Sequence, residues 1–197
     1  MAFEGVFFRR CGVWTRDYRY DFSKNNYLLD HDLQSTTDIY EYDQHGNMIK
    51  MPHLPEMKYD YADQLHEVTL NSAGDKAYYV YDAEGNRVRK VVIKSGKKEQ
   101  RFYVDDYELF IKDDKQRETL KISDDKQVVA LINYDIVNTT QTVRYQLTNH
   151  LDSASVELDE TGDIISYEEY HPFGTISYRS GRNFAEVSLK RYKYVFK

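Results

Sequence analysis

The sequence predicts an all-β chain of consecutive antiparallel β-hairpins. Three observations carry that expectation: a strand–turn–strand unit recurs along the chain, tyrosine is by far the commonest aromatic, and no stretch has sustained helical spacing. The unit is clearest over Ala77–Ile93. Its first arm, Ala77-Tyr78-Tyr79-Val80-Tyr81, is aromatic and β-branched, as a pleated surface favours. Asp82 is suited to bond the backbone two residues on, and Gly85 takes positive φ without steric cost, which is the chemistry of a type I turn closed by a bulge. The second arm begins Arg87-Val88-Arg89-Lys90 and ends in a Val/Ile run. Tyr40–Lys50 repeats the unit through its turn, Tyr42-Asp43-Gln44-His45-Gly46-Asn47. Weaker copies lie at Tyr18–Leu28 and Tyr59–Leu65. Markers at Asp21, Asp43, Asp60 and Asp82 recur with a drifting period of about 20 residues, one hairpin each.

Taken in order, residues 1–30 read as a strand pair: Val6-Phe7-Phe8, a break at Cys11-Gly12, then Val13-Trp14 leading into Tyr18–Tyr20. Residues 31–37 read as a polar connector and 38–50 as the second hairpin. Met51–Met57 holds two of the three prolines, so it reads as an extended loop whose Leu54 and Met57 dock on the sheet. Strands return at 58–70 and 77–93 around Asn71–Asp75. Ser95–Lys98 is a turn, and strands 101–104 and 107–111 follow about Asp105-Asp106. Turns at 113–116 and 123–126 flank an alternating strand, 117–122.

Val128–Ile132 is the most apolar run and reads as a buried strand; 143–148 is another. Val156–Leu158, the turn Asp159–Asp163, and Ile164–Tyr170 form a second strong hairpin signal, ended by His171-Pro172-Phe173-Gly174. The tail reads as a loop at Arg179–Asn183, a helical turn near 184–190, and a last strand over 189–196.

Composition narrows the function. The chain has 197 residues, room for one domain or two small ones. A net charge of −6 opposes a nucleic-acid partner, which would need a basic stripe. Nineteen tyrosines against nine Phe and one Trp suit sheet faces that are only partly dry, because Tyr pairs an apolar ring with a polar tip. The single cysteine, Cys11, excludes an intrachain disulfide framework and reads as an inert thiol. No apolar run approaches the ~18 residues of a membrane helix. The start, Met1–Arg10, is too quickly charged for a secretory signal. Export would then use another route or a larger polypeptide.

The candidate chemistry is thin. Glu168 and Glu169 are strand neighbours, so they point to opposite faces and read as two solvated charges. Asp105-Asp106, Asp113-Asp114 and Asp124-Asp125 lack the spacing of a calcium loop and read as turn acids. His53, between prolines, has no partner ligands in sequence. His150 and His171 near Asp152, Ser153 and Ser155 could be written as a triad, but no nucleophile elbow holds one. Asn138-Thr139-Thr140 fits a glycosylation sequon that has meaning only in a secreted eukaryotic protein. Tyr alternating with Lys and Arg, as in Lys190–Lys193, reads as cation–π and cross-strand packing, with a ligand-binding face as the other reading. Catalytic, cofactor-binding and metal sites are all expected to be absent.

The Tyr-Asp-x-x-Gly-Asn units (Tyr42, Asp43, Gly46, Asn47 and Tyr81, Asp82, Gly85, Asn86) resemble the YD repeats of Rhs proteins. The block containing Asn149, His150, Leu151, Gly162, Tyr170, Pro172, Phe173 and Gly174 resembles the Rhs-associated core. With Met51-Pro52-His53-Leu54-Pro55, the series resembles the shell-forming C component of bacterial Tc insecticidal toxin complexes from about residue 18 onward. The resemblance implies a curved hairpin strip within a hollow β-shell that encloses a toxic C-terminal cargo. Residues 1–140 would be the YD-repeat strip and 141–197 a core segment. The family's self-cleaving protease lies beyond the Lys190-Arg191-Tyr192-Lys193-Tyr194 stretch, so its acids and the cargo are expected to be missing here. Val195-Phe196 departs from a Gly that the family tends to carry.

The implied role is structural and non-enzymatic, in virulence. The implied partners are a B-component-like shell protein or the rest of the Rhs shell, with self-association through exposed sheet edges. The implied location is a secreted toxin complex, or otherwise the bacterial cytoplasm. A surface carbohydrate-binding or adhesion module is the alternative.

Overall fold

The computed structural model describes residues 16–23, 27–33, 36–124, 127–149, 153–171, 176–183, 186–187 and 190. Three sheets run through them, and every strand pairs with its neighbour in sequence. β1 (Arg16–Asp21), β2 (Tyr27–Leu33) and β3 (Thr36–Ile39) form the first; β4 (Glu41–Tyr42) and β5 (Met48–Lys50) form the second. The third has twelve strands in chain order: β6 (Glu56–Tyr59), β7 (Leu65–Thr69), β8 (Lys76–Tyr81), β9 (Arg87–Lys94), β10 (Lys97–Val104), β11 (Tyr107–Lys112), β12 (Lys115–Ser123), β13 (Val128–Asp135), β14 (Thr140–Thr148), β15 (Ala154–Leu158), β16 (Ile164–Tyr170) and β17 (Ile176–Gly181). β6 and β17 stand at its two ends. The expected all-β chain of consecutive antiparallel hairpins is the observed fold.

The chain divides into two compact units. One draws on residues between Arg10 and Tyr103 together with Phe110–Asp113. Its dry centre is a single cross-strand row: Met57 faces Val68, Val68 faces Ala77, and Ala77 faces Val92. The first three are buried, and Met48, Met51, Leu54 and Leu70 pack around them. A row this narrow follows from strands that spend alternate positions on Lys, Glu and Thr.

The other unit draws on Val104–Leu109 and residues between Asp114 and Lys197. Its buried apolar residues, Ala130, Leu131, Ala154, Ile165 and Val187, are interleaved with buried Thr119, Arg144, Gln146, Glu157, Ser166, Glu168 and Lys190. That interior is as much ionic as apolar.

The structure corrects four boundaries. The stretch expected to be a polar connector enters two strands, because Leu33 pairs with Thr36 and Asp30 with Ile39. Ladder hydrogen bonds use the backbone, so polar side chains do not prevent them. Met57 lies inside β6 rather than in a loop, although Leu54 and Met57 do dock on the apolar row as expected. The turn expected over 95–98 shrinks to Ser95-Gly96, both at positive φ, with Lys97 and Lys98 already in β10. The loop expected from Arg179 begins only after Gly181, since Glu168 pairs with Arg179 and Ser166 with Gly181. The expected helical turn shows as the Val187 N–H donating to the Asn183 carbonyl at 3.1 Å. Val6–Phe8, Cys11 and Val13-Trp14 lie outside the described residues, as does all of the last expected strand except Lys190.

Candidate functional site

The repeated turns share one hydrogen-bond pattern. In the first, the Asp43 N–H donates to the Asn47 carbonyl (2.9 Å) and the Gly46 N–H to the Asp43 carbonyl (3.3 Å). Asp43 Oδ1 accepts from the His45 and Asn47 backbone, and Oδ2 from Asn47 Nδ2. Asp82 and Asn86 reproduce this bond for bond, with Gly46 at φ +93° and Gly85 at φ +86°. Desolvation pushes the Asp43 carboxyl up, but the bonds from Asn47, His45 and Gly46 outweigh it and hold it below its ordinary value. Asp159–Asp163 repeats the loop with Gly162 at φ +85°.

Two further copies were weak or hidden in the sequence. Asp60–Gln64 closes the same way with Asp63 at φ +57° where the others place glycine. Asp is one of the few side chains that tolerate this region. Asn149 closes a loop onto Ser153, its N–H donating to the Ser153 carbonyl (2.9 Å) and its Oδ1 accepting from the Ser153 N–H (3.1 Å).

Three tyrosines clip the chain to an earlier turn. Tyr59 Oη donates to the Met48 carbonyl at 2.9 Å, and Tyr81 Oη to the Leu65 carbonyl at 2.9 Å. Tyr170 Oη lies 3.0 Å from the Ala154 carbonyl and 2.8 Å from Glu168 Oε2, two acceptors for one proton. Met48, Leu65 and Ala154 are each the first residue after a repeat turn, namely after Asn47, Gln64 and Ser153. The clips reach past the ends of ladders: β7 and β8 pair only over Glu67–Thr69, leaving Leu65 beyond them. Tyr42 has the Leu28 backbone as its hydrogen-bond partner, and its ring stacks on Tyr27 at 4.5 Å. Burial raises the phenol pKa of Tyr42, Tyr59 and Tyr81, keeping each a neutral hydrogen-bonding group.

Turn-to-turn contacts complete the row. Asp63 Oδ1 accepts from Asn47 Nδ2 at 2.8 Å and meets His45 Nδ1 at 2.8 Å. A Cβ on Gly46 would stand 2.3 Å from Tyr27 Oη, and one on Gly85 would stand 3.2 Å from Gln64 Nε2.

The second notable cluster is buried. Arg144 Nη2 donates to Glu157 Oε2 (2.6 Å); Gln146 and Ser166 also donate to Glu157. Glu168 holds Arg179 Nε at 2.6 Å and Lys190 Nζ at 3.3 Å. Register places Gln146, Glu157, Ser166 and Gly181 on one cross-strand row, with Glu168 directly opposite Arg179. Glu186 and Lys190 reach this row, as Arg144 also donates to the Glu186 carbonyl and Lys190 Nζ to the Ser155 carbonyl. Gly181 admits Val187, because a Cβ there would meet Val187 Cγ2 at 2.1 Å.

The expectation of two solvated acids at 168 and 169 is therefore half wrong. Glu169 is exposed and bonds Tyr167 Oη, whereas Glu168 has no exposed surface. Carboxylates and cations here neutralise one another. His150, Leu151, Pro172, Phe173 and Gly174 lie outside the described residues. Among the described residues no group of three or more His, Cys, Asp or Glu could hold a metal.

No family model matches the chain, and no curated protein does. Solved structures do. The Tc holotoxin pore of Photorhabdus luminescens matches with a TM-score of 0.74 at 20% identity, over 92% of this chain and 10% of that one. The crystal structure of TcdB2–TccC3 matches with 0.74 at 20% identity, over 92% and 11%. TcdB2–TccC3–Cdc42 matches with 0.72 at the same identity and coverage. The chain spans about a tenth of the length of the structures it matches, and the likeness is one of fold.

Proposed function

We propose that the chain is a wall segment of a Tc/Rhs-type toxin shell, structural and without catalysis of its own, which helps to enclose a toxic cargo. The observation that supports it best is the serial order of hairpins, clipped to earlier ones by Tyr59, Tyr81 and Tyr170, within a fold like that of Tc toxin components over 92% of the chain. Pairing only with sequence neighbours extends a sheet without limit and, among the described residues, leaves two edge strands free. A wall needs that property, and an enclosed active-site fold does not. The partners in this reading are a B-component-like shell protein or the rest of an Rhs shell, which would cover the free edges of β6 and β17. The site of action is a secreted toxin complex. Among the described residues no helix is long and apolar enough to cross a membrane.

Co-expression with a B-type shell protein tests the proposal. Copurification of a stoichiometric complex, with β6 or β17 protected from hydrogen exchange only in the complex, is the expected result. A dilute monomer that melts sharply alone and binds no shell protein would overturn it. Specific binding on a glycan array would favour the carbohydrate-binding alternative instead.

A further inference from the structure

Tyr79, Lys90 and Arg101 form a cross-strand row on β8, β9 and β10. The Arg87 guanidinium carbon lies 5.7 Å from the centre of the Tyr79 ring and 4.9 Å from that of Tyr103. Arg101 sits 4.3 Å over Phe110, and Lys90 Nζ is 5.8 Å from the Tyr79 ring. Rings hold the flat faces of a guanidinium and leave its N–H edges for a planar acceptor. Among the described residues, neither Arg87 nor Lys90 makes a hydrogen bond or ion pair with any acceptor. Glu99, the acid beside them, is already shared by Arg101 and Lys112 at 3.4 Å each. Burial first, then the charges of Arg87 and Arg101, press the Lys90 pKa down, and the charge of Glu99 opposes them.

We propose that the Arg87–Lys90–Arg101 face binds the carboxylates of an acidic polypeptide segment. Charge complementarity selects an anion: Arg87 and Lys90 have no ion-paired acid among the described residues, and Glu99 beside them is taken up by Arg101 and Lys112. Geometry selects the carboxylate, which two N–H groups of a stacked guanidinium grip side by side. An extended peptide with an acid at every second residue presents its carboxylates about 7 Å apart on one side, a step comparable to the spacing along a sheet face. A nucleic acid would need positive potential continuing along its phosphates, and here Glu99 interrupts it between Arg101 and Lys112 in an acidic chain. The inference stands apart from the wall reading, since it requires only this face.

The test is fluorescence anisotropy of a labelled alternating Glu-Gly octapeptide against the full chain at low salt. Saturable binding is expected, weakened about tenfold by R87Q and by K90Q, and weakened by added salt. K115Q, on exposed Lys115 outside the patch, is expected to leave it unchanged. If K90Q fails to fold, R87K serves: it keeps the charge, loses the fork, and is expected to weaken binding by an intermediate factor. Absence of binding, equal binding of a Gln-Gly peptide, indifference to R87Q, or equal affinity for an oligothymidylate of the same charge would each overturn the proposal.

Discussion

Tyr81 on β8 donates its hydroxyl to the Leu65 carbonyl on β7 at 2.9 Å, just beyond the point where the β7–β8 ladder stops. The bond joins two repeat turns, as does that of Tyr59 with Met48, and Tyr170 makes the same kind of bond to the Ala154 carbonyl. Tyr81→Phe should keep the ring packing and leave the carbonyl without its donor, costing about 1 kcal/mol. Tyr59→Phe should cost a similar amount, and the double variant should depart from the sum, because Tyr59 faces Leu65, whose carbonyl Tyr81 bonds. Urea titrations of the three variants check this; a cost near zero for both would show that water replaces the hydroxyl without loss.

Glycine has two separable roles in these turns. Gly162→Ala meets nothing within 4 Å, so only its positive φ is strained, at about 1 kcal/mol. Gly46→Ala carries that strain and also drives a Cβ against Tyr27 Oη. It should therefore be the more damaging by at least about 1 kcal/mol. Adding Tyr27→Phe removes the clashing oxygen and should recover part of the loss. Equal melting shifts for the two glycine variants would refute the contact.

Glu168 compensates Arg179 and buried Lys190, so Glu168→Gln should cost about 3–5 kcal/mol by leaving a cation uncompensated in the interior. Lys190→Met in the same chain should recover much of it, since removing both charges also removes the desolvation penalty. A double variant no better than the single one would mean that the pair does not act as a unit.

His45 beside Asp63 gives a pH dependence with a definite sign. The hydrogen bond and charge of Asp63 raise the His45 pKa above 6.5, so its contribution is complete below that value and is lost as pH rises through the folded pKa. Bonds from Asn47 and then His45 lower the Asp63 pKa, so its contribution is present above 3.8 and is lost as pH falls through its folded value. In an NMR titration, Asp63→Asn should return His45 to near 6.5. An unchanged midpoint would remove Asp63 as the cause.

The sequence by itself determined the hairpin series, because each Tyr-Asp-x-x-Gly-Asn carries its own turn chemistry: the Asp caps the loop, the Gly takes positive φ, and strand residues flank both. These are local effects, written within about six residues. It also determined that Glu168 and Glu169 face opposite ways, since alternation is a property of any strand. Only the tertiary structure decided what those faces meet. The bond of Asp63, in the glycine position, to Asn47, the reach of Tyr170 to the Ala154 carbonyl, and the pairing of buried Glu168 with Lys190 all involve partners 16 or more residues apart. The tyrosines show the division most plainly. Their abundance was legible as a half-dry sheet, but the carbonyl each hydroxyl reaches is fixed by how one hairpin twists against the one before it, and no local signal encodes that.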